Sequence, residues 1–239
     1  MVFEKLEKRQ IFVGEITAET PLHIGSGRPD IRIGEAISVL RNVKGVPYIP
    51  GSSIKGKVRT EAEKIARKLG YEVCNPPDTK KMCGSLKSDE KDLCIVCQIF
   101  GTAGEKISRA SKVKFRDALP LEEVKEFEVR TGIALDRERG SVHRKALYTI
   151  EAVPAGTRFG FEMVAENLTD EELSLLLAAV KSVQDTGLGG SSTRGFGKVR
   201  VSIKRVHERT AEFYVGKKEE RVLEGEELAS WLRSKGVEL

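Results

Sequence analysis

Apolar residues follow two different periods along the chain, and segments of the two kinds succeed one another in a defined order. Alternation of branched or aromatic residues with polar ones predicts strands, and it occurs in residues 10–19, 112–118, 158–165 and 197–206. Apolar residues at helical spacing predict helices in residues 52–69 and 169–184. Thr169 with Glu172 three residues later predicts a capping box at the start of the second helix. The resulting order of strand, helix, strand, strand, helix, strand predicts an α+β fold with a ferredoxin-like (RRM-like) βαββαβ core.

Three long insertions separate these elements, in residues 20–49, 70–110 and 119–157. Insertions of this length in a compact domain are usually functional or disordered. The third insertion has the pattern of a long β-hairpin whose tip, residues 136–144, is polar and basic. A short helix is expected near residues 226–234, and residues 1–239 are expected to form a single domain.

Composition places only weak limits on the partners, source and cellular location of the protein. The chain has 239 residues and a formal net charge of +5, so nucleic acid is a plausible partner if the basic residues are clustered. The 32% of charged residues favours a thermophilic source. No run approaches the roughly 20 apolar residues that span a bilayer, and the first nine residues lack the apolar stretch of a signal peptide. A cytoplasmic protein without membrane partners is expected.

All four cysteines lie in the second insertion, at Cys74, Cys83, Cys94 and Cys97. Clustered thiols in a cytoplasmic chain indicate a tetrahedral structural zinc site. Two alternatives stay open: ordinary reduced cysteines, or the stabilising disulfides known in hyperthermophiles. A catalytic zinc is not expected, because no histidine or carboxylate stands at ligand spacing. The predicted site would fold a loop.

A short extended run ends at two prolines, turns at Gly51 and opens the first predicted helix. Free N–H groups and the positive dipole end at a helix start favour an anion such as phosphate. Hydroxyls and cations follow within two turns, at Ser52, Ser53, Lys55, Lys57 and Arg59. The pattern predicts a site for a charged backbone, most simply RNA or a nucleotide. The spacing approaches that of a P-loop, but Val58 replaces the magnesium-binding hydroxyl, so an NTPase is not expected.

A glycine-rich segment, residues 187–198, joins the second helix to the last strand. Glycines let a backbone approach a ligand closely and expose its N–H groups. The segment is either a flexible turn or a ligand site, and its hydroxyls and arginine favour the ligand site. Its candidate residues are Gly189, Gly190, Ser191 and Arg194.

Three further arginines and two histidines add to the candidate residues. Arg137, Arg139 and Arg144 surround His143 at the hairpin tip, where phosphate contact is favoured over acid–base chemistry. His23 precedes another glycine turn, and a lone histidine of this kind is either structural or catalytic.

Four segments together resemble the RAMP superfamily, the backbone subunits of type III CRISPR effector complexes. They are residues 22–27 (LHIGSG), residues 48–56 (YIPGSSIKG), the stretch from 136–140 to 151–157, and the glycine-rich residues 189–197. The resemblance covers most of residues 10–206, and the cysteine cluster is similar to that of the zinc-bearing members.

The resemblance implies a single RAMP domain whose RRM-like core lacks the usual stacking aromatics. Such subunits polymerise along a CRISPR RNA, and their hairpin, a thumb, wedges into the duplex of guide and target. The implied partners are CRISPR RNA, target single-stranded RNA, copies of the same chain, other RAMP subunits and a large polymerase-like subunit. The implied RNA-binding residues are His23, Ser52, Ser53, Lys55, Lys57, Arg59, Arg137, Arg139, Arg144, Gly189, Gly190, Ser191 and Arg194.

Catalysis is where this chain departs from the resemblance. In the nuclease members, a loop aspartate with a divalent metal, magnesium or manganese, cuts target RNA. An ungapped alignment places Ala36 at that position, while Asp30 and Glu35 lie nearby. Two hypotheses follow: a non-catalytic RNA-binding subunit, or a metal-dependent endoribonuclease that uses Asp30 or Glu35. A third is a guide-processing RNase that uses His23 or His143.

Overall fold

The computed structural model describes residues 5–25, 36–140 and 142–239. The strands are β1 (Arg9–Ala18), β2 (Ala36–Ile37), β3 (Val113–Phe115), β4 (Glu128–Leu135), β5 (Val142–Ala152), β6 (Arg158–Glu166), β7 (Val199–Arg209) and β8 (Arg221–Glu224). The helices are α1 (Gly51–Lys68), α2 (Cys83–Leu86), α3 (Ile95–Phe100), α4 (Asp170–Thr186), α5 (Ala211–Tyr214) and α6 (Gly225–Ser234).

The main sheet is antiparallel and has the strand order β3-β6-β1-β7-β8. Its first four strands, with α1 and α4 between them in sequence, are the elements expected from the pattern of apolar residues. This order is the one that a βαββαβ ferredoxin-like unit produces, and the α+β prediction is confirmed. The fifth strand, β8, was not predicted; it pairs with β7 just before α6.

The core lies between the sheet and the two long helices. Strand β1 turns alternate side chains inward, with Phe12 and Ile16 almost completely buried. Its Gly14 lies at an irregularity in the pairing with β7, where a Cβ would overlap the Ser202 carbonyl oxygen. The close approach of the two strands therefore requires glycine at this position.

Helices α1 and α4 pack against each other in antiparallel fashion. The buried Glu61 of α1 accepts a hydrogen bond from Ser182 Oγ, near the end of α4, at 2.9 Å. Tyr71, just after α1, donates to Glu171 in the first turn of α4. The start of α1 and the end of α4 therefore lie at the same end of the helix pair.

The start of α4 is fixed by a capping box and a buried ion pair. Thr169 Oγ1 accepts from the Glu172 N–H at 3.2 Å, and Glu172 Oε2 accepts from the Thr169 N–H at 2.9 Å, which confirms the predicted box. Lys112, just before β3, donates to both carboxylate oxygens of Glu172, at 2.7 and 2.6 Å. The pair ties the edge of the sheet to the helix layer.

Ion pairs cover the face of the sheet that points away from α1 and α4. Glu166 on β6 pairs with Arg9 at 2.9 Å and with Lys114 at 3.0 Å. Arg116 pairs with Glu162 at 3.3 Å. The residues of β1 and β6 on this face include no Phe, Tyr or Trp, which agrees with the expected lack of stacking aromatics.

A second sheet of order β2-β5-β4 contains the predicted hairpin. Gly132 on β4 lies opposite Tyr148 on β5, and a Cβ at Gly132 would overlap the tyrosine ring. At its base the hairpin joins the core through a bridge between Leu22 and Val153. Within the described residues, the helices are too short or too polar to cross a membrane.

Candidate nucleic-acid interface and metal centre

Helix α1 begins where Gly51 packs against the end of β3. A Cβ on Gly51 would overlap the Phe115 carbonyl oxygen, so only glycine fits. The Gly51 N–H donates to Asp117 Oδ1 at 2.8 Å. One N–H group at this helix start is therefore already bound by a carboxylate of the protein. Ser52 and Ser53 remain exposed and offer hydroxyls beside it.

The three cations in the first half of α1 differ in whether groups of the protein already bind them. Lys55 is half-buried and has no carboxylate partner among the described residues; burial, and next the nearby Arg59 charge, lower its pKa. Lys57 Nζ lies 3.4 Å from the buried Glu61. Arg59 points toward the cysteine cluster, with a guanidinium nitrogen 3.5 Å from Cys97 Sγ. Arg59 is therefore engaged by groups of the protein, and its contact with RNA stays a prediction.

The glycine-rich loop packs directly on His23. The Gly190 N–H donates to the His23 carbonyl oxygen at 2.9 Å. Gly189 has a φ of 83°, and a Cβ there would overlap the same oxygen. His23 Nδ1 lies 2.6 Å from the Glu151 carbonyl oxygen, which can only accept, so Nδ1 carries the proton. His23 is 6% exposed, which fits its structural interpretation.

Two aromatic residues fasten the same loop to the base of the hairpin. Phe196 is 5% exposed and packs with Ile150 and Ala152. The exposed Arg194 donates to the Tyr148 hydroxyl, and its guanidinium carbon lies 5.4 Å from the centre of that ring. The loop is thus a defined turn; Ser191 adopts the left-handed conformation with a φ of 59°.

The Glu151 side chain connects the hairpin to residues 39–41, in the segment that precedes α1. Its Oε2 accepts from the Val39 N–H at 2.8 Å, and its Oε1 pairs with Arg41 at 2.5 Å. Burial opposes ionisation of this carboxyl, but the Arg41 guanidinium and the Val39 N–H outweigh it and lower the Glu151 pKa. Sequence reasoning missed this role, since no local pattern links residues 110 positions apart.

Three predicted segments therefore lie toward the same end of the helix pair: His23, the start of α1 and the glycine-rich loop. The exposed Arg137 and Arg139 lie at the hairpin tip, where Asp136 Oδ1 accepts from the Arg139 N–H at 3.1 Å. At about 3.3 Å per strand residue, β5 places this tip roughly 30 Å from the base of the hairpin.

Several candidate residues cannot be assigned a place. Asp30 and Glu35 lie outside the described residues. The Ala36 backbone forms part of β2, but its side chain, like those of His143 and Arg144, is outside the described part of the chain.

The four cysteine sulfurs form one cluster, with every pair within 4.8 Å. Cys74 Sγ lies 3.4 Å from Cys97 Sγ and 3.9 Å from Cys94 Sγ. Four sulfurs around a tetrahedral zinc, each at about 2.3 Å, would be about 3.8 Å apart. The thiols are free, so the disulfide alternative is wrong. The arrangement fits a four-coordinate metal ion, and the donor set favours zinc.

The protonation of the four cysteine sulfurs depends on whether a metal ion is bound. Burial raises the pKa of Cys83 to about 11. Hydrogen bonds from Cys74 and Cys94, followed by burial, raise the pKa of Cys97. Hydrogen bonds from Cys74 and Cys97 lower the pKa of Cys94. Four thiolates this close would repel one another, so the cluster does not lose all of its protons until a metal ion replaces them. The Cys94 N–H already points at Cys83 Sγ, at 3.4 Å.

The fold and these motifs define the class of the protein. The family profile of the RAMP superfamily matches residues 15–200. The chain therefore belongs to the RAMP superfamily, as the four sequence segments indicated.

Individual relatives narrow the comparison. The chain is similar to a Methanothermobacter thermautotrophicus protein named CRISPR system Cms endoribonuclease Csm3, with 31% identity over 89% of this chain and 91% of the relative. A Methanocaldococcus jannaschii protein of the same name is also 31% identical, over 88% of this chain and 86% of the relative.

Solved structures agree with this placement. A chain in the Csm3–Csm4 subcomplex of the type III-A CRISPR-Cas interference complex matches with a TM-score of 0.60 and 26% identity, covering 97% of this chain and 96% of that chain. The crystal structure of Methanopyrus kandleri Csm3 matches with a TM-score of 0.58 and 23% identity, over 88% and 80% of the two chains. The second likeness supports the fold alone.

Proposed function

We propose that this protein is an RNA-binding backbone subunit of a type III CRISPR interference complex. Copies of one RAMP domain, residues 1–239, line up along a CRISPR RNA and help to hold target RNA. Other RAMP subunits and a large polymerase-like subunit complete the complex. The Csm3 relatives, and the Csm3–Csm4 subcomplex that the fold resembles, support this assignment.

One observation supports the RNA-binding role: three segments far apart in sequence lie toward the same end of the helix pair. The exposed Ser52 and Ser53 hydroxyls and Lys55 lie at the start of α1. The backbone of Gly189 and Gly190 is held on His23 at the end of α4. Hydroxyls, a cation and close-approaching backbone suit phosphates, and such contacts carry no sequence information.

The test is binding to unstructured single-stranded RNAs of increasing length, with stoichiometry read by light scattering. We expect the number of bound subunits to grow in step with RNA length. A single bound copy on every length, or no binding when the other subunits of the complex are supplied, would contradict the proposal.

A structural zinc at Cys74, Cys83, Cys94 and Cys97 completes the proposal. Metal analysis of the purified protein should find about one zinc per chain. A chelator should lower the melting temperature and expose residues 70–110 to protease. An unchanged melting curve together with absent metal would count against the site.

A second candidate function is cleavage of guide-paired target RNA, favoured by the endoribonuclease name of the relatives. The candidate groups are Asp30 and Glu35 with magnesium or manganese, as alternatives to the aspartate that Ala36 replaces. Asp30→Ala and Glu35→Ala are to be compared within the assembled complex. Loss of metal-dependent cutting in either variant supports cleavage by this chain; cutting by both variants at the wild-type rate rejects these residues.

A further inference from the structure

Arg59 of α1 makes three side-chain contacts, one within its own helix and two to the helix that carries Cys97. Its Nε lies 3.1 Å from Glu63 Oε1. One terminal nitrogen donates to the Gly101 carbonyl oxygen at 3.1 Å, and the other lies 3.5 Å from Cys97 Sγ. Cys97 belongs to α3, and Gly101 ends that helix. A single guanidinium therefore holds both a sulfur of the cluster and the end of the helix that carries it.

This arrangement uses properties that distinguish arginine from lysine. The guanidinium is planar and presents several N–H donors in a fixed fork, whereas an ammonium is a compact point charge. Glu63 orients the fork from within the same helix, four residues on. Two donors are thereby aimed at two different acceptors of one neighbouring element.

The charge of the cluster explains what such a donor would do. Four thiolates around one Zn²⁺ carry a net charge of −2. One of the proposed ligands, Cys97, is completely buried. Buried charge is costly unless it is paired and hydrogen-bonded. Lys81 and Lys87 line the cleft beside Cys74 and Cys83. Among the described residues, Arg59 is the cation with a contact to a sulfur of the cluster.

We propose that Arg59 is a positioning residue of the metal centre: it donates a charge-assisted hydrogen bond to the Cys97 thiolate and so retains the metal. This inference rests on the metal site proposed above. A thiolate at Cys97 would accept this hydrogen bond more strongly than a neutral thiol, because hydrogen bonds to charged groups are the stronger ones. The same side chain then couples metal occupancy to α1, whose first turn carries the proposed RNA contacts.

The experiment uses the full chain loaded with zinc and measures transfer of zinc to a chromogenic chelator. Arg59→Ala should lose zinc about tenfold faster or more, the size of effect seen when a partner of a metal ligand is removed. Arg59→Lys should recover part of the loss because it restores the charge without the fork. Arg67→Ala is the matched control, since Arg67 donates from the same helix to the Cys74 carbonyl oxygen at 3.1 Å and not to a sulfur.

A second readout separates the proposed role from simple loosening of the fold. In Co²⁺-substituted protein, removing a hydrogen bond from a thiolate should move the sulfur-to-cobalt charge-transfer band to longer wavelength. We expect this shift in Arg59→Ala and in Arg59→Gln, and no shift in Arg67→Ala. Arg59→Gln also serves if the alanine variant does not fold.

The outcomes distinguish the two levels of the proposal. Wild-type protein that binds no zinc or cobalt would overturn the metal site, and with it the role of Arg59. Wild-type protein that retains zinc, with Arg59 variants that show the wild-type transfer rate and cobalt spectrum, would overturn the role of Arg59 alone. Equal effects of Arg59→Ala and Arg67→Ala on both readouts would also overturn it.

Discussion

The contrast between Lys55 and Lys57 tests the interface most directly. Lys55 has no carboxylate partner among the described residues, whereas Lys57 lies 3.4 Å from Glu61. Glu61 also holds Lys64 at 2.9 Å, so it neutralises part of the nearby positive charge. If RNA phosphates lie at the start of α1, Lys55→Ala should cost more binding than Lys57→Ala.

The size of the effect follows from counterion release. Removing one cation that binds a phosphate of a single strand should lower the slope of log K against log salt concentration by roughly 0.7. For Lys55→Ala this corresponds to a loss of affinity of about fivefold at 0.1 M salt and about eightfold at 0.05 M. For Lys57→Ala, with half of its charge already compensated, we expect a loss of about twofold at 0.1 M.

The assay is a salt titration of RNA binding with three unrelated sequences. Lys68→Ala is the matched control, because exposed Lys68 lies on the same helix but about 20 Å farther along it at 1.5 Å per residue. That separation exceeds the Debye length of about 10 Å at 0.1 M salt. Equal slopes for Lys55→Ala and Lys68→Ala, or a loss confined to one RNA sequence, would refute the placement.

Three further predictions address the start of α4, the glycine-rich loop and the base of the hairpin. Lys112→Met leaves a buried carboxylate unpaired and should cost about 3–5 kcal/mol of unfolding free energy, measured by urea titration. Adding Glu172→Gln to this variant should recover part of the loss. A double variant whose loss equals the sum of the two single losses would contradict the pairing. Gly189→Ala forces a side chain into a φ of 83° and should cost about 1–3 kcal/mol, read as a lower melting temperature with weaker RNA binding; an unchanged melting temperature would contradict the strain. The lowered Glu151 pKa contributes stability above the unfolded-state value of about 4.3, and this is lost as the pH falls through the folded value. Stability curves against pH should therefore be flatter below about pH 4.3 for Glu151→Gln than for wild type, and parallel curves would reject this linkage.

The sequence predicted those elements whose formation depends on residues a few positions apart in the chain. The apolar stripe of α4 and its capping box involve residues three or four positions apart, so the sequence alone predicted both. The four core strands were predicted for the same reason, since alternation shows which face is buried. Strand β8 was missed because four residues between charged segments give almost no periodic signal.

The orientation of the Arg59 side chain could not be predicted from the sequence. In the sequence it follows Lys55 and Lys57 at two-residue steps, which suggested three equivalent phosphate contacts. In the fold, α3 returns from the cysteine insertion and packs on α1, so one of the three cations faces inward. The carboxylate of Asp117, at the Gly51 N–H, was missed for a similar reason. Both contacts join residues more than 30 positions apart, and their geometry depends on how the insertion packs.

The short outer strands of the main sheet have a consequence for how copies associate. One edge is β3, with three residues, and the other is β8, with four. Lys114 and Arg221 place charge on these edges, and short, charged edges discourage addition of a strand from another molecule. Copies of this protein are thus poorly suited to extend one continuous sheet among themselves. Growth by β-addition is therefore disfavoured, and in the assembly proposed above the RNA, rather than strand pairing, would set the number of copies.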